Sequence, residues 1–232
     1  MEKIKTGISG FDALVKGGLP AGSCVLLSGT PGTGKTIFAL EYIYRGALEG
    51  DKGLYISLEE QTQSLRDQAS NFGWDFEALE KKGMITLMYI PTSSITNSTI
   101  KEIQSTVSEY GIKRLVLDSV STLSLAIPTI QTVISDITEF SIKRFVHNFI
   151  DEIKGPRKTT ILLISQTSDD KKFSSDEVSE FMSDGIIHIV YESMGGEYSR
   201  SLIVRKMRQV KNDEDIHPLE ISNKGIVVHT LK

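Results

Sequence analysis

The sequence is short of cysteine, tryptophan and proline. Of its 232 residues one is Cys, one is Trp and six are Pro, so no internal disulfide staples the chain and no Pro-rich linker divides it. Cys24 stands in the apolar run Cys24-Val25-Leu26-Leu27, where a small buried side chain is the expected role. No run approaches the ~18 consecutive apolar residues that a membrane-spanning helix needs. Met1 to Phe11 carries lysines but lacks the apolar core of a secretory signal. These absences lead to the expectation of a cytoplasmic protein. An excess of positive charge is also missing. The net charge of −4 disfavours a dedicated duplex-binding protein, which must neutralise phosphates with Lys and Arg.

What is present is an ordinary globular composition, 39% hydrophobic and 24% charged. At roughly 150 residues per domain, with no repeat, low-complexity tract or linker, one domain over residues 1–232 is expected. Apolar residues alternate between a strand-like and a helix-like period, the signature of βα units. Cys24–Ser28, Leu54–Leu58, Met84–Ile90, Leu115–Leu117 and Ile161–Ser165 are apolar on successive residues, as in strands covered on both faces of a parallel sheet. Between them, Ile37, Leu40, Ile43 or Tyr44 and Ala47 recur at helical spacing, as do Ile142, Phe145 or Val146, Phe149 and Ile153. Both stripes read as core-facing surfaces. After Gly185 the pattern becomes antiparallel: Gly185–Tyr191 and Ser201–Arg208 flank Met194-Gly195-Gly196-Glu197, and Leu219–Ser222 and Gly225–Thr230 flank Asn223-Lys224. The predicted fold is therefore α/β, a mainly parallel central sheet flanked by helices with antiparallel C-terminal strands. Asp169–Glu180, rich in charge and serine, is predicted to be a mobile loop.

The most specific motif is Gly29-Thr30-Pro31-Gly32-Thr33-Gly34-Lys35-Thr36. It matches G-x-x-x-x-G-K-[S/T] at every fixed position and lies between an apolar strand and an amphipathic helix. Glycines let successive backbone N–H groups turn inward onto phosphate oxygens, and the helix that follows adds its positive end. Lys35 then bridges β- and γ-phosphates, and the Thr36 hydroxyl ligates Mg²⁺. The bland alternative is a glycine-rich turn with no ligand.

Phosphoryl transfer needs further groups. Arg114-Leu115-Val116-Leu117-Asp118-Ser119 ends an apolar strand in a carboxylate, which places Asp118 at the carboxyl edge of the sheet as a second element near Mg²⁺, unless it only caps a helix. Leu54–Leu58 runs into Glu59-Glu60. One of these acids can face the γ-phosphate as water-activating base while the other positions a neighbour; equally, both can begin the helix that follows. Ser165-Gln166-Thr167 ends another strand, so its amide serves either as a γ-phosphate sensor or as a strand cap. Lys206 and Arg208, two apart on a strand, share a face with Met207 opposite, and the run with Arg205 and Lys211 also reads as a solvated strand edge.

These residues together resemble the KaiC type of RecA-superfamily ATPase. The likeness begins at Thr6-Gly7-Ile8-Ser9-Gly10-Phe11-Asp12-Ala13-Leu14, passes through Gly17-Gly18-Leu19-Pro20-Ala21-Gly22 and the P-loop, and takes in Ser57-Leu58-Glu59-Glu60, Leu117-Asp118-Ser119 and Lys206-Met207-Arg208. It ends at Pro218-Leu219-Glu220-Ile221 and Gly225-Ile226-Val227-Val228, covering nearly the whole chain in one copy. The resemblance implies a RecA-like P-loop core that self-assembles into a ring, usually hexameric, with ATP between neighbouring subunits. It implies catalytic roles for Lys35, Glu59 and Glu60, and makes Lys206 and Arg208 cations that reach a neighbour's γ-phosphate. Arg200, within Ser199–Ser201, is implied as a contact to base or ribose. The family's phosphate-accepting Ser and Thr are replaced by Glu180-Phe181, so hydrolysis rather than autokinase activity is expected, serving regulation through an unidentified protein partner. A nucleic-acid motor on the same core remains the alternative. It calls for a basic, aromatic channel loop, whereas Asp169–Glu180 balances its lysines with acids.

Overall fold

The computed structural model describes residues 2–123, 139–154, 159–169, 172–191 and 199–230. Strands β1 (Lys3–Ile4) and β2 (Leu19–Pro20) form a small antiparallel pair. The others are β3 (Cys24–Gly29), β4 (Gly53–Ser57), β5 (Ile85–Tyr89), β6 (Arg114–Asp118), β7 (Thr160–Gln166), β8 (Gly185–Tyr191), β9 (Arg200–Met207), β10 (His217–Ser222) and β11 (Gly225–Val228). They make one nine-stranded sheet in the order β11-β10-β9-β8-β3-β7-β6-β4-β5. From β8 to β5 every neighbour is parallel; β9, β10 and β11 add antiparallel strands at one end. The α/β expectation holds, and the strand bounds shift by a residue or two. The turn Met194–Glu197 lies outside the described residues.

Helices cover both faces: α1 (Phe11–Leu14), α2 (Lys35–Leu48), α3 (Thr62–Ser70), α4 (Phe76–Lys81), α5 (Asn97–Tyr110), α6 (Val120–Leu123), α7 (Glu139–Lys154) and α8 (Ser179–Met182). The central strands show why two cores result. Val25, Leu27, Leu162 and Ile164 face α2, whereas Leu26, Ile161 and Leu163 face the α5, α6 and α7 side. Alternation with both faces apolar is what a doubly covered sheet demands. The predicted α7 stripe is present, with Val146, Phe149 and Ile153 buried. Around α2 the burial is wider than predicted and includes Phe38, Ala39 and Tyr42. The reason is that further elements pack on this helix: Phe38 meets the Phe11 ring edge-on, Tyr42 lies beneath the Arg114 guanidinium, and the buried Glu41 carboxylate accepts from Ile226 N of β11 at 2.7 Å and from Arg45.

A second brace joins α2 to β6. The fully buried Arg114 guanidinium donates twice to Asp51 Oδ2, at 3.1 and 2.8 Å, and once to Tyr42 O at 3.0 Å. The segment predicted as a mobile loop is partly packed. Ser174, Asp176 and Ser179 are buried, Glu180 is helical in α8, and Asp176 accepts from the backbone of Val178 and Ser179 and from the Ser179 hydroxyl. Its charged look hides Ser179 and Asp176, whose polar groups are satisfied locally. Residues 170–171 fall outside the described set. Among the described residues no helix is long and apolar enough to cross a membrane.

Candidate functional site

Parallel strands end together, so their carboxyl ends share one edge of the sheet, where chemistry collects in open α/β folds. Here that edge holds the loop after β3, Glu59 just past β4, Asp118 at the end of β6 and Gln166 at the end of β7. The glycines of the loop Gly29–Thr36 are structural necessities. Gly29 has φ 155°, and a Cβ there would lie 2.3 Å from Ile189 O. Thr33 Oγ1 donates back to Thr30 O at 2.9 Å, while Pro31 and Gly32 form the exposed crest and Gly34 begins α2.

Lys35 is buried, and its ammonium donates to Gly29 O at 2.9 Å and Thr30 O at 2.8 Å. Burial pulls its pKa down to about 8, against the opposite pull of the Asp118 and Glu59 carboxylates. One residue later, Thr36 Oγ1 donates to Asp118 Oδ2 at 3.1 Å. The same oxygen accepts from the Tyr55 hydroxyl at 2.6 Å. Burial pushes the Asp118 carboxyl up to about 6; the two hydroxyl donors pull it back, and Glu59 and Glu60 push it further. Hydroxyl and carboxylate oxygens are hard donors that suit Mg²⁺, which takes few protein ligands and shares phosphate oxygens. With a buried cation in the loop beside them, these residues fit a magnesium nucleotide.

Glu59 and Glu60 part company. Ser57 Oγ accepts from Glu60 N at 2.9 Å, a local turn that ends β4 and splays the two side chains. Glu59 reaches into the cluster and meets Ser119, Thr122 and Gln166. Glu60 instead accepts from Ser64 and Gln68 of α3. The two acids thus divide, Glu59 turning toward the ends of β6 and β7 and Glu60 toward α3.

Arg200, at the loop end of β9, donates from Nη2 to Gly32 O at 3.2 Å and lies over the Tyr191 ring, 5.0 Å from its centroid. Lys206 and Arg208 are elsewhere. β9 is antiparallel to β8, and Met207 pairs with Gly185, which pairs with Val25 at the far end of β3. At ~3.3 Å per residue that is about 13 Å along the strands from the loop. There Lys206 Nζ donates to Ser183 O at 2.7 Å and Arg208 Nη1 to Asp184 Oδ1 at 3.1 Å. Arg208 lies one residue beyond the end of β9, and Met207 between the two cations is buried.

Three residues of the cluster, Tyr55, Ser119 and Thr122, were not singled out from the sequence. Tyr55 stands in an apolar run and looks like core, and Ser119 and Thr122 look like an ordinary helix start. Their one signal was adjacency to Asp118 or membership of the neighbouring strand.

The KaiC ATPase family model matches residues 4–232. A UPF0273 protein of Aeropyrum pernix is 35% identical across 99% of this chain and 94% of its own length. A UPF0273 protein of Thermotoga maritima is 34% identical across 99% and 96%. Among solved structures, a KaiC-like protein from Pyrococcus horikoshii matches with a TM-score of 0.84 at 32% identity, covering 99% of both chains.

Proposed function

The chain belongs to the KaiC ATPase family and has its RecA-like fold, and from that premise we propose that it binds MgATP and hydrolyses it. The observation that carries this reading is the meeting of Thr36 and Asp118 at 3.1 Å beside Lys35, with Glu59 at the same sheet edge. The backbone of Gly29, Thr30, Pro31, Gly32, Thr33 and Gly34 cradles the phosphates, and Lys35 neutralises their β and γ oxygens. Thr36 and Asp118 would hold a magnesium ion, which would offset charge on the phosphate oxygens. Glu59 orients a water and takes its proton as the water oxygen bonds to the γ-phosphorus and the β–γ bridging bond breaks. Glu60, held by Ser64 and Gln68 of α3, supports it. Arg200, bonded to Gly32 O at the crest of the loop, is the contact to base or ribose in this reading.

The assembly in this reading is a cytoplasmic homo-oligomer, a hexameric ring with nucleotide between subunits, whose ATP cycle regulates a protein partner. The distance of Lys206 and Arg208 from their own loop supports a role toward a neighbour's nucleotide. Burial of Ser179 and Ser183 supports hydrolysis over autophosphorylation in that stretch.

The test has two arms. Lys35→Ala should weaken ATP binding roughly tenfold or more with the fold intact, and phosphate release should vanish with it. Particle mass measured with and without ATP and Mg²⁺ should show a hexamer held by nucleotide. Unchanged affinity in the variant defeats the site assignment; a monomer under both conditions defeats the ring.

A further inference from the structure

Three hydroxyls from one short turn reach the ends of two other strands. Ser119 caps α6, its Oγ accepting from Thr122 N at 3.3 Å. The same Oγ donates to Glu59 Oε1 at 2.6 Å, and Thr122 Oγ1 donates to that oxygen too. Glu59 Oε2 lies 3.4 Å from Gln166 Nε2. Ser121 Oγ in turn accepts from Gln166 N at 2.8 Å.

Glu59 is exposed, and a free glutamate at a surface samples many rotamers, each with its own direction for a water lone pair. Fixing such a side chain costs up to ~2 kcal/mol of entropy, and charge-assisted hydroxyl bonds offset that cost. Both hydroxyl donors sit on Oε1. That choice of oxygen leaves Oε2 on the Gln166 side. Because Ser121 also fixes the Gln166 backbone, α6 sets the acid and the amide relative to each other, two residues after Asp118, the proposed magnesium ligand.

We infer that Thr122 is a positioning residue for hydrolysis: its hydroxyl holds Glu59 in the rotamer that presents Oε2 to the attacking water, and it contributes nothing to nucleotide binding. This rests on Glu59 being the base. Ser119 shares the task but also caps α6, so Thr122 is the cleaner probe.

Thr122→Val keeps the shape and removes the hydroxyl; Thr122→Ser keeps the hydroxyl. Misplacing a reacting group by about 1 Å can cost ~10²-fold, so Thr122→Val should lower kcat by roughly 10- to 100-fold with KM for MgATP and ATP affinity unchanged. Thr122→Ser should restore most of it. A second readout needs no nucleotide: in a thermal-unfolding cycle with Glu59→Ala, the Tm losses of the single variants should fail to add, because both remove one contact. Full kcat in Thr122→Val, no rescue by Ser, a parallel rise in KM, or additive Tm losses each overturn the inference. Glu59→Gln is measured alongside. If it turns over like wild type, the base assignment fails and this inference with it; if it is slow while Thr122→Val is fast, only the positioning role fails.

Discussion

The phenol of Tyr55 donates to Asp118 Oδ2 at 2.6 Å across the paired strands β4 and β6, on the oxygen that Thr36 also reaches. Burial holds the Asp118 carboxyl up at about 6, above its usual range near ~3.9. In the nucleotide-free protein the protonated acid is therefore the favoured folded form between those values. Stability from this group falls as pH rises through that window and levels off above about 6. Magnesium at the proposed site needs the carboxylate, so its binding should follow the opposite course and improve as pH rises through about 6. Tyr55→Phe removes a donor to the ionised form, so the carboxyl moves further up and Mg²⁺ affinity falls by roughly tenfold at pH 6. Mg²⁺ titrations of nucleotide binding at pH 6 and pH 8 should show a large gap between variant and wild type at the lower pH and a smaller one at the higher. Equal affinities at pH 6 would rule out this role.

The single substitutions Glu59→Gln and Glu60→Gln should differ. Glu59 faces Gln166, Ser119 and Thr122, whereas Glu60 is held on α3 by Ser64 and Gln68. Loss of a general base costs ~10²-fold or more, and that loss belongs to Glu59 alone. Glu60→Gln keeps an oxygen for both partners and should slow turnover only a few-fold. Steady-state phosphate release with matched ATP-binding titrations separates the two. Equal losses would mean the acids act as one unit.

What could be read in advance, and what could not, divides along a physical line. The phosphate loop and the strand ending at Asp118 are written in contiguous residues whose local backbone preferences dictate the outcome. The convergence of Glu59, Asp118 and Gln166 follows from a parallel sheet, because parallel strands share a carboxyl edge. Side-chain direction is not local in that sense. The parting of Glu59 from Glu60 depends on the Ser57 turn and on α3. Tyr55 counts as core in any hydropathy pattern, and only the register of β4 on β6 turns its hydroxyl toward Asp118. The burial of Arg114 leaves no local signal either. A charged residue at a strand start reads as exposed, yet its guanidinium is buried between Asp51, Tyr42 and Gly46.

That burial makes Gly46 a stability determinant. A Cβ on Gly46 would lie 2.2 Å from Arg114 Nε, and the atom it meets belongs to a guanidinium bonded on both sides, which has no free path to retreat. Alanine is the better helix former by about 1 kcal/mol. Overpacking a buried site costs ~1–3 kcal/mol, and disturbing a buried ion pair adds to it, up to ~3–5 kcal/mol when the pair breaks. Gly46→Ala should therefore destabilise by about 2 kcal/mol net, lowering Tm by roughly 4–8 °C in a chain of this size. Differential scanning calorimetry decides it. An unchanged or raised Tm would mean that the guanidinium moves aside freely.

Lys206 and Arg208 pose the sharpest question, because their own fold carries them away from their own phosphate loop. Lys206 rests on the carbonyl of Ser183 and Arg208 on the carboxylate of Asp184, at the edge opposite Gly29–Thr36. A cation delivered from a neighbour to the γ-phosphoryl oxygens can be worth about 10³–10⁵ in rate, so the isolated subunit should be nearly inactive and specific activity should climb with protein concentration. Two dead variants provide the direct measurement: Lys35→Ala, and the double change Lys206→Ala with Arg208→Ala. Mixed after subunit exchange, some interfaces join an intact phosphate loop to intact cations, and turnover should reappear. The amount should follow the statistics of mixed interfaces as the ratio is varied. With exchange verified by mass, a mixture as inactive as its components would show that the two cations do not act across a subunit boundary.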